Sequence, residues 1–152
     1  MSEELIVEKN FHHLPGIFFE KSKILDENPL FWSKKDKNWD GMTWKEAASK
    51  VNKLSSLLVS LGIKKGDRVL IASENRPEWA MADLAIMTIG AIVVPAYTSN
   101  TEEDNAYLLN HSKAKLAITS GGKVASRLCL AADSIKSIKN IILIDEKTKN
   151  YE

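Results

Sequence analysis

The pattern that most constrains the fold is a strand, a helix and a second strand within residues 68–97. Residues 69–72 form a short apolar run, Val-Leu-Ile-Ala, which is typical of a strand buried on both faces. Pro77 suits the first position of a helix because its missing N–H would have no helical partner there. Residues 91–94 are a second apolar run, which we expect to be another buried strand. The pattern predicts a right-handed βαβ unit with parallel strands.

The helix of this unit is predicted to be buried. Between residues 79 and 89 its polar side chains are those of Asp83 and Thr88, so little of its surface suits water. Gly90 follows the apolar run and suits the residue after a helix end. A buried helix between two buried strands places this unit at the centre of the molecule.

The same alternation of helical and strand patterns continues on both sides of this unit. Before this unit we predict a helix over residues 14–26, a β-hairpin over 30–42 with its turn at 35–38, and a helix from the capping box of Thr43 and Glu46 to Gly62. After it we predict a helix capped by Thr101, a strand over 116–119, a helix after Gly121 and Gly122, and a strand over 141–144. The helix after Gly122 carries Val124, Leu128, Ala131 and Ile135 on one face. The predicted fold class is α/β: one layer of alternating parallel βαβ units with flanking helices and an N-terminal β-hairpin.

Length and composition are those of one globular domain. The chain has 152 residues, 44% hydrophobic and 27% charged, and we expect residues 1–10 to form a flexible arm and residues 11–152 one domain. The 21 basic and 20 acidic residues leave a formal charge of +1. This near-neutral charge creates no overall electrostatic attraction for nucleic acid or an anionic membrane. We therefore expect no nucleic-acid partner and only local recognition of other partners.

Cysteine content and targeting signals favour a reducing compartment. The single cysteine, Cys129, excludes an internal disulfide framework. Residues 1–9 lack the apolar core of a signal peptide, and no apolar run approaches the ~20 residues that a membrane helix needs. We therefore expect a soluble, cytoplasmic protein without a transmembrane segment.

Two segments invite a nucleotide-binding interpretation, and neither has the required pattern. Residues 73–77 follow a predicted strand but contain no glycine to admit a pyrophosphate. Residues 119–123, Thr-Ser-Gly-Gly-Lys, lack the glycine spacing of a Walker loop and the hydroxyl residue after the lysine. A plain connection from strand to helix is the favoured interpretation of both.

The remaining reactive side chains show no catalytic or metal-binding spacing. His12 and His13 are adjacent and His111 stands alone, so surface or capping roles are favoured. Cys129 is interpreted as a small core residue because no charged partner can be assigned to activate it. The acidic residues 102–104 suit the first turn of a helix and need no cation to explain them.

The aromatic residues of the predicted hairpin allow two interpretations. Phe31, Trp32 and Trp39 could stack on nucleic-acid bases, but an aromatic pair packed across a hairpin is the commoner arrangement. We therefore predict a structural role for these side chains.

Five segments together resemble the amino-terminal region of the adenylate-forming enzymes, and most of all their bacterial long-chain fatty acid–CoA ligase branch. They are residues 42–46 (Met-Thr-Trp-Lys-Glu), 62–69 (a glycine, then Gly-Asp-Arg-Val), 73–79 (Ser-Glu-Asn-Arg-Pro-Glu-Trp), 89–98 (Ile-Gly-Ala-Ile-Val-Val-Pro-Ala-Tyr-Thr) and 108–118. The resemblance extends over residues 11–145, and the order and spacing of the segments agree with the family.

The resemblance implies an enzyme that activates a fatty acid with ATP and Mg²⁺ and transfers the acyl group to coenzyme A. A carboxylate is a poor electrophile until one of its oxygens becomes a phosphate leaving group, which is the purpose of the acyl-adenylate. The resemblance also implies that the complete enzyme is cytoplasmic or peripheral to a membrane.

The motifs that perform this chemistry in the family are absent from the chain. Neither the Gly/Ser/Thr-rich phosphate loop nor the Tyr-Gly-x-Thr-Glu segment occurs, and the ribose-binding aspartate, the hinge and the catalytic lysine of the small domain are missing too. We therefore assign no catalytic, cofactor-binding or metal-binding residue. Two hypotheses remain: an inactive amino-terminal fragment that self-associates through exposed surface, or a stand-alone scaffold that binds a partner. A receiver-like domain is disfavoured, because Glu74 and Asp145 alone do not form its acidic cluster.

Overall fold

The computed structural model describes residues 13–145, except for the side chain of Lys35. This part of the chain contains, in order, α1 (Leu14–Leu25), β1 (Pro29–Lys35), β2 (Asn38–Thr43), α2 (Trp44–Ser60), β3 (Arg68–Ala72), α3 (Pro77–Thr88), β4 (Ile92–Ala96), α4 (Glu102–Ser112), β5 (Leu116–Thr119), α5 (Gly122–Asp133) and β6 (Asn140–Leu143). The arm predicted at residues 1–10 lies outside the described residues. Within residues 13–145, no helix is both long and apolar enough to cross a bilayer.

The main sheet has four parallel strands in the order β4-β3-β5-β6. β3 therefore lies between two partners, with Ile71 in register with Pro95 of β4 and Ile118 of β5. A separate antiparallel pair joins β1 to β2. The predicted α/β class, with parallel βαβ units, flanking helices and an N-terminal hairpin, is confirmed.

Helices cover both faces of the main sheet. On one face, Val69 and Ile71 of β3 share a core with residues of α1, α2 and α3. On the other face, Leu70 packs with Leu109 of α4 and Leu128 of α5. Alternate residues of β3 thus enter opposite cores, and all five residues of the strand except Arg68 are buried. The prediction of a strand buried on both faces is confirmed for β3.

Local signals at the helix ends agree with the structure. The Thr43 hydroxyl accepts the Glu46 N–H at 3.2 Å, and the Glu46 carboxylate accepts the Thr43 N–H at 2.9 Å, which completes the predicted capping box. Gly90 follows α3 with a φ of +71°, a left-handed conformation that glycine adopts without a steric penalty.

Several predictions about individual strands and helices need correction. β4 is an edge strand whose residues are exposed or half-buried, and it spans Ile92–Ala96 rather than residues 91–94. An edge strand tolerates Pro95, because a proline has no N–H to donate to a second neighbouring strand. β6 spans residues 140–143 rather than 141–144, α1 ends at Leu25, and α5 ends at Asp133, so Ile135 lies beyond the helix.

The two hairpin tryptophans lie on the same face of neighbouring strands, but they are diagonal to each other rather than directly opposite. The register sets Trp32 opposite Gly41 and Trp39 opposite Lys34. Phe31 and its partner Met42 pack against the core instead. Period-two alternation therefore places both tryptophans on the opposite, outer face of the hairpin.

Candidate functional site

The carboxyl ends of the four parallel strands create the candidate site. β3 continues into α3 on one face of the sheet, whereas its neighbour β5 continues into α5 on the other face. The two loops consequently leave the sheet in opposite directions and open a crevice between them. Such a topological switch point is where open α/β sheets bind their ligands.

Buried hydroxyl groups line the floor of this crevice. Thr119 is the last residue of β5, Ser73 and Ser120 directly follow β3 and β5, and all three are buried. The Thr119 hydroxyl donates to the Ser120 carbonyl at 3.1 Å, and the Ser73 hydroxyl donates to the Glu74 carbonyl at 3.2 Å. Within residues 13–145, the Ser120 hydroxyl has no hydrogen-bond partner. The floor is therefore polar, although it lies between two apolar cores.

Asp145 connects the loops around the crevice. One carboxylate oxygen accepts the Gly121 N–H at 2.8 Å, and the other accepts Arg76 Nη1 at 2.7 Å. Arg76 also donates through Nε to Glu78 at 2.8 Å. The Gly121 N–H and, after it, the Arg76 guanidinium hold the pKa of Asp145 below its usual range, which keeps this carboxyl ionised.

A pocket of about 550 Å³ opens beside the switch point, between the loops that follow β3 and β4. Ser73 lines this pocket and directly follows β3, so the pocket adjoins the switch point. The other residues that line the pocket are Glu74, Asn75, Trp79, Pro95, Ala96, Tyr97 and Thr98.

The pocket combines aromatic surface with polar groups. Trp79 and Tyr97 supply ring planes, and Tyr97 is 81% exposed. Asn75 and Thr98 can donate and accept hydrogen bonds, and Glu74 can accept them. A few polar groups on an otherwise apolar and aromatic lining are typical of sites for organic ligands. The arrangement suits binding and orientation of an organic ligand, because aromatic planes and hydrogen-bonding groups face the same pocket.

The structure separates the reactive residues that the sequence analysis considered. The side chain of His13 caps α1 by accepting the Gly16 N–H at 3.0 Å, and His111 stacks on Tyr107 of α4. His12 lies outside the described residues. Cys129 is half-buried on α5, where desolvation and then Asp133 raise the pKa of its thiol and so disfavour the reactive thiolate.

The remaining considered segments have the local structure that was predicted for them. Residues 119–123 connect β5 to α5, as expected for a plain strand-to-helix turn. Asp104 caps α4 together with Thr101, and its pKa is lowered by the backbone N–H and the hydroxyl of Thr101. Within residues 13–145, no group of three or more His, Cys, Asp or Glu side chains is placed to hold a metal ion.

Sequence reasoning missed the site itself. It treated residues 73–77 and 119–123 separately, as loops without the glycines of a nucleotide site. Only the strand order makes the two loops neighbours, because β5 pairs with β3 rather than with β4. The signal that could have found them is the presence of hydroxyl residues at the ends of two buried strands, Ser73 at one and Thr119 with Ser120 at the other.

The parallel sheet with helices on both faces defines a doubly wound α/β protein, a class whose ligands bind at the carboxyl edge of the sheet. A family model described as AMP-binding enzyme matches residues 25–152, most of the chain. The chain therefore belongs to the AMP-binding enzyme family.

Individual relatives agree with this assignment. The chain is 32% identical over 132 residues to the long-chain-fatty-acid–CoA ligase FadD15 of Mycobacterium tuberculosis, a match that covers 87% of the chain and 22% of that protein. It is 32% identical over 117 residues to fatty acyl-CoA synthetase A of Dictyostelium discoideum, covering 77% of the chain and 18% of that protein. The chain thus spans about a fifth of the length of these curated relatives.

A solved structure has the same fold. The N-terminal domain of FACL13 from Mycobacterium tuberculosis superposes with a TM-score of 0.76 at 19% identity, over 86% of this chain and 33% of that one. The likeness at this identity concerns the fold alone. It supports the architecture of helices on both faces of a parallel sheet.

Proposed function

We propose that this chain is the amino-terminal part of a fatty acid–CoA ligase. The observation that carries the proposal is the 32% identity over 132 residues to a ligase of that name. The second relative, also at 32% identity, is named for the same class of reaction. The substrate of the complete enzyme would be a long-chain fatty acid, and residues 11–152 would form one subdomain of its large domain.

The chemistry of the complete enzyme explains the cofactors that it would need. ATP would convert the fatty acid carboxylate into an acyl-adenylate with release of pyrophosphate, and the thiol of coenzyme A would then displace AMP. Mg²⁺ would neutralise the phosphate charge during the first step. We assign none of these groups to residues of this chain, and its location in the cell, cytoplasmic or peripheral to a membrane, stays part of the proposal.

The contribution of this part of the chain would be structural and would include one wall of a ligand site. The carboxyl edge of the sheet, with its buried hydroxyls and aromatic pocket, is the surface on which the fold favours ligand binding. Asp145 would keep the loops of this wall in place through Gly121 and Arg76. The catalytic groups would come from other parts of the complete enzyme.

The first test measures catalysis directly. We expect purified 152-residue chain to give no fatty-acid-dependent exchange between ATP and pyrophosphate, because the phosphate loop and the catalytic lysine of the family are absent from its sequence. Complete FadD15 under the same conditions is the positive control. Acid-dependent exchange by the chain alone would contradict the proposal.

A partner-binding scaffold is the second candidate function. The observation that favours it is the edge strand β4, where Ile92 is 51% exposed and, within residues 13–145, one side of the strand has no neighbour. The intact mass of the native product distinguishes the two functions. A product several times heavier than 17.0 kDa supports the ligase, whereas a native product of 17.0 kDa supports the scaffold.

A further inference from the structure

The hairpin carries an exposed aromatic face that neither proposed function uses. Trp32 is 58% exposed and Trp39 is 64% exposed. The register puts Trp32, Lys34, Trp39 and Gly41 on the same side of the two strands, and we name these four residues the tryptophan face. Large aromatic side chains exposed together mark a binding surface more often than single ones do.

The tryptophan face points away from the body of the molecule. Phe31 and Met42, which alternate with it along the strands, pack against the core formed with α1, α2 and α3. Within residues 13–145, the opposite face of the hairpin is exposed, so it can meet another surface while the fold stays intact. The ring of Trp32 lies close over Gly41, where an added Cβ would come within 3.0 Å of the indole, so the backbone itself supports this ring.

The charged residue of the tryptophan face is a lysine. Lys34 lies on the tryptophan face, whereas Asp40 is paired with Ser33 on the other face. The turn at the tip carries Asp36 and Lys37, which offset each other. The tryptophan face is thus aromatic and cationic, and its four residues include no acidic side chain.

We propose that the tryptophan face binds the interfacial region of an anionic lipid bilayer. Indole rings favour that region, because their apolar body enters the acyl boundary while the N–H stays among the headgroups. The stem of Lys34 can lie along the same boundary with its ammonium beside lipid phosphate. One lysine on the face is a poor match for the phosphates of nucleic acid, which usually engage several cations. The proposal deepens the peripheral membrane location included in the proposed function, but vesicle binding tests it without any measurement of ligase activity.

Vesicle binding by the full 152-residue chain tests this proposal. The probes are vesicles of phosphatidylcholine mixed with phosphatidylglycerol, vesicles of phosphatidylcholine alone, and the same lipids with brominated acyl chains that quench tryptophan. We expect the chain to sediment with the anionic vesicles, to bind them less in high salt, and to show quenched tryptophan fluorescence. Replacing both tryptophans, Trp32→Ser with Trp39→Ser, lowers the partition coefficient by at least about tenfold, because binding scales with the buried apolar surface.

Two further variants separate the loss of vesicle binding from changes in folding and from nonspecific binding by exposed aromatic side chains. Lys34→Glu leaves both rings in place and lowers binding to anionic vesicles about fivefold, with little change on neutral vesicles. The matched control is Tyr107→Ser, which removes an aromatic side chain that is 65% exposed on α4, and it leaves binding unchanged.

Three results would overturn the proposal: no binding of the wild-type chain to anionic vesicles, equal binding by the wild type and the double variant, or binding without quenching. Single-stranded oligonucleotide that displaces the vesicles would also count against it, because the face would then be a base-stacking surface. If thermal unfolding reveals that the double variant is misfolded, Lys34→Glu alone decides: unchanged binding to anionic vesicles overturns the proposal.

Discussion

Asp145 is the residue at which three loops of the carboxyl edge meet. It follows β6, accepts the N–H of Gly121 at the start of α5, and pairs with Arg76 at the start of α3. The two helices lie on opposite faces of the sheet, so this one carboxylate links both faces. Its side chain and that of Arg76 are about one third exposed, at 36% and 30%, which limits the strength of the ion pair through solvent screening.

The ionisation of Asp145 makes part of the stability pH-dependent. Its pKa is lower in the folded chain than the usual value, first through Gly121 and then through Arg76. The stabilisation by the ionised carboxylate is therefore complete at pH values above the pKa of about 3.9 in the unfolded chain, and it is lost as the pH falls through the lower pKa of the folded chain. We expect Asp145→Asn to reduce the free energy of unfolding at neutral pH by about 1 kcal/mol. The loss is this small because the Asp145–Arg76 ion pair is partly exposed to solvent.

Urea unfolding of the wild-type chain and of Asp145→Asn across pH values measures this effect. The difference between the two chains should shrink in acid, because the carboxyl becomes protonated and resembles the amide. A difference of the same size below the folded pKa as at neutral pH would mean that packing, and not charge, accounts for the loss.

At the scale of elements, α2 shows how a helix is divided between core and solvent. Ala47, Val51, Ser55 and Leu58 are buried at steps of three and four. Ser55 donates to the carbonyl of Ala85 at 3.1 Å and so joins α2 to the buried helix α3. Ser55 interrupts an otherwise apolar stripe, and its buried hydroxyl is acceptable there because it is hydrogen-bonded.

Two adjacent leucines of α2 form a matched pair for a stability experiment. Leu58 is fully buried, and Leu57 is 43% exposed. Leu58→Ala is expected to lower the free energy of unfolding by about 3 kcal/mol, because it removes buried methyl groups and leaves a cavity. Leu57→Ala should cost less than about 1 kcal/mol, because its side chain is already largely in water. Chemical denaturation of both variants measures the contrast, and similar losses would contradict the packing of this face of α2 against the core.

At the scale of the whole molecule, the β4 edge of the main sheet exposes apolar residues that favour association between chains. β4 pairs with β3 on one side, and within residues 13–145 it has no strand on the other. Its residues Ile92, Val93 and Val94 are exposed or half-buried rather than covered. An open apolar edge is a template for pairing with a second chain.

We therefore expect the 152-residue chain to self-associate, and we expect Ile92→Lys to suppress the association. A lysine on an edge strand opposes strand pairing because its charge must stay in water. Sedimentation velocity over a range of concentrations compares the two chains, with Leu130→Lys on α5 as the control at a residue that is 53% exposed and away from this edge. A wild-type chain that stays monomeric at all concentrations would refute the expectation.

Much of the fold could be predicted from the sequence because its signals are local. Pro77 and Gly90 bracket α3, Thr43 and Glu46 begin α2, and the apolar run of β3 marks the centre of the sheet. The burial of β4 could not be predicted, because an apolar run is the same in a central strand and in an edge strand. Its exposure depends on which strands lie beside it, and that is a property of the sheet.

What the sequence determined by itself is the order and type of the elements and the family to which the chain belongs. Helix caps, turn glycines and hydrophobic periods act over a few residues and need no knowledge of distant segments. Three features became visible in the tertiary structure alone: the crevice at the carboxyl edge, the bridge of Asp145 to Gly121 and Arg76, and the tryptophan face. Each depends on strand order or register, which are set by packing between residues far apart in the chain and leave no local pattern.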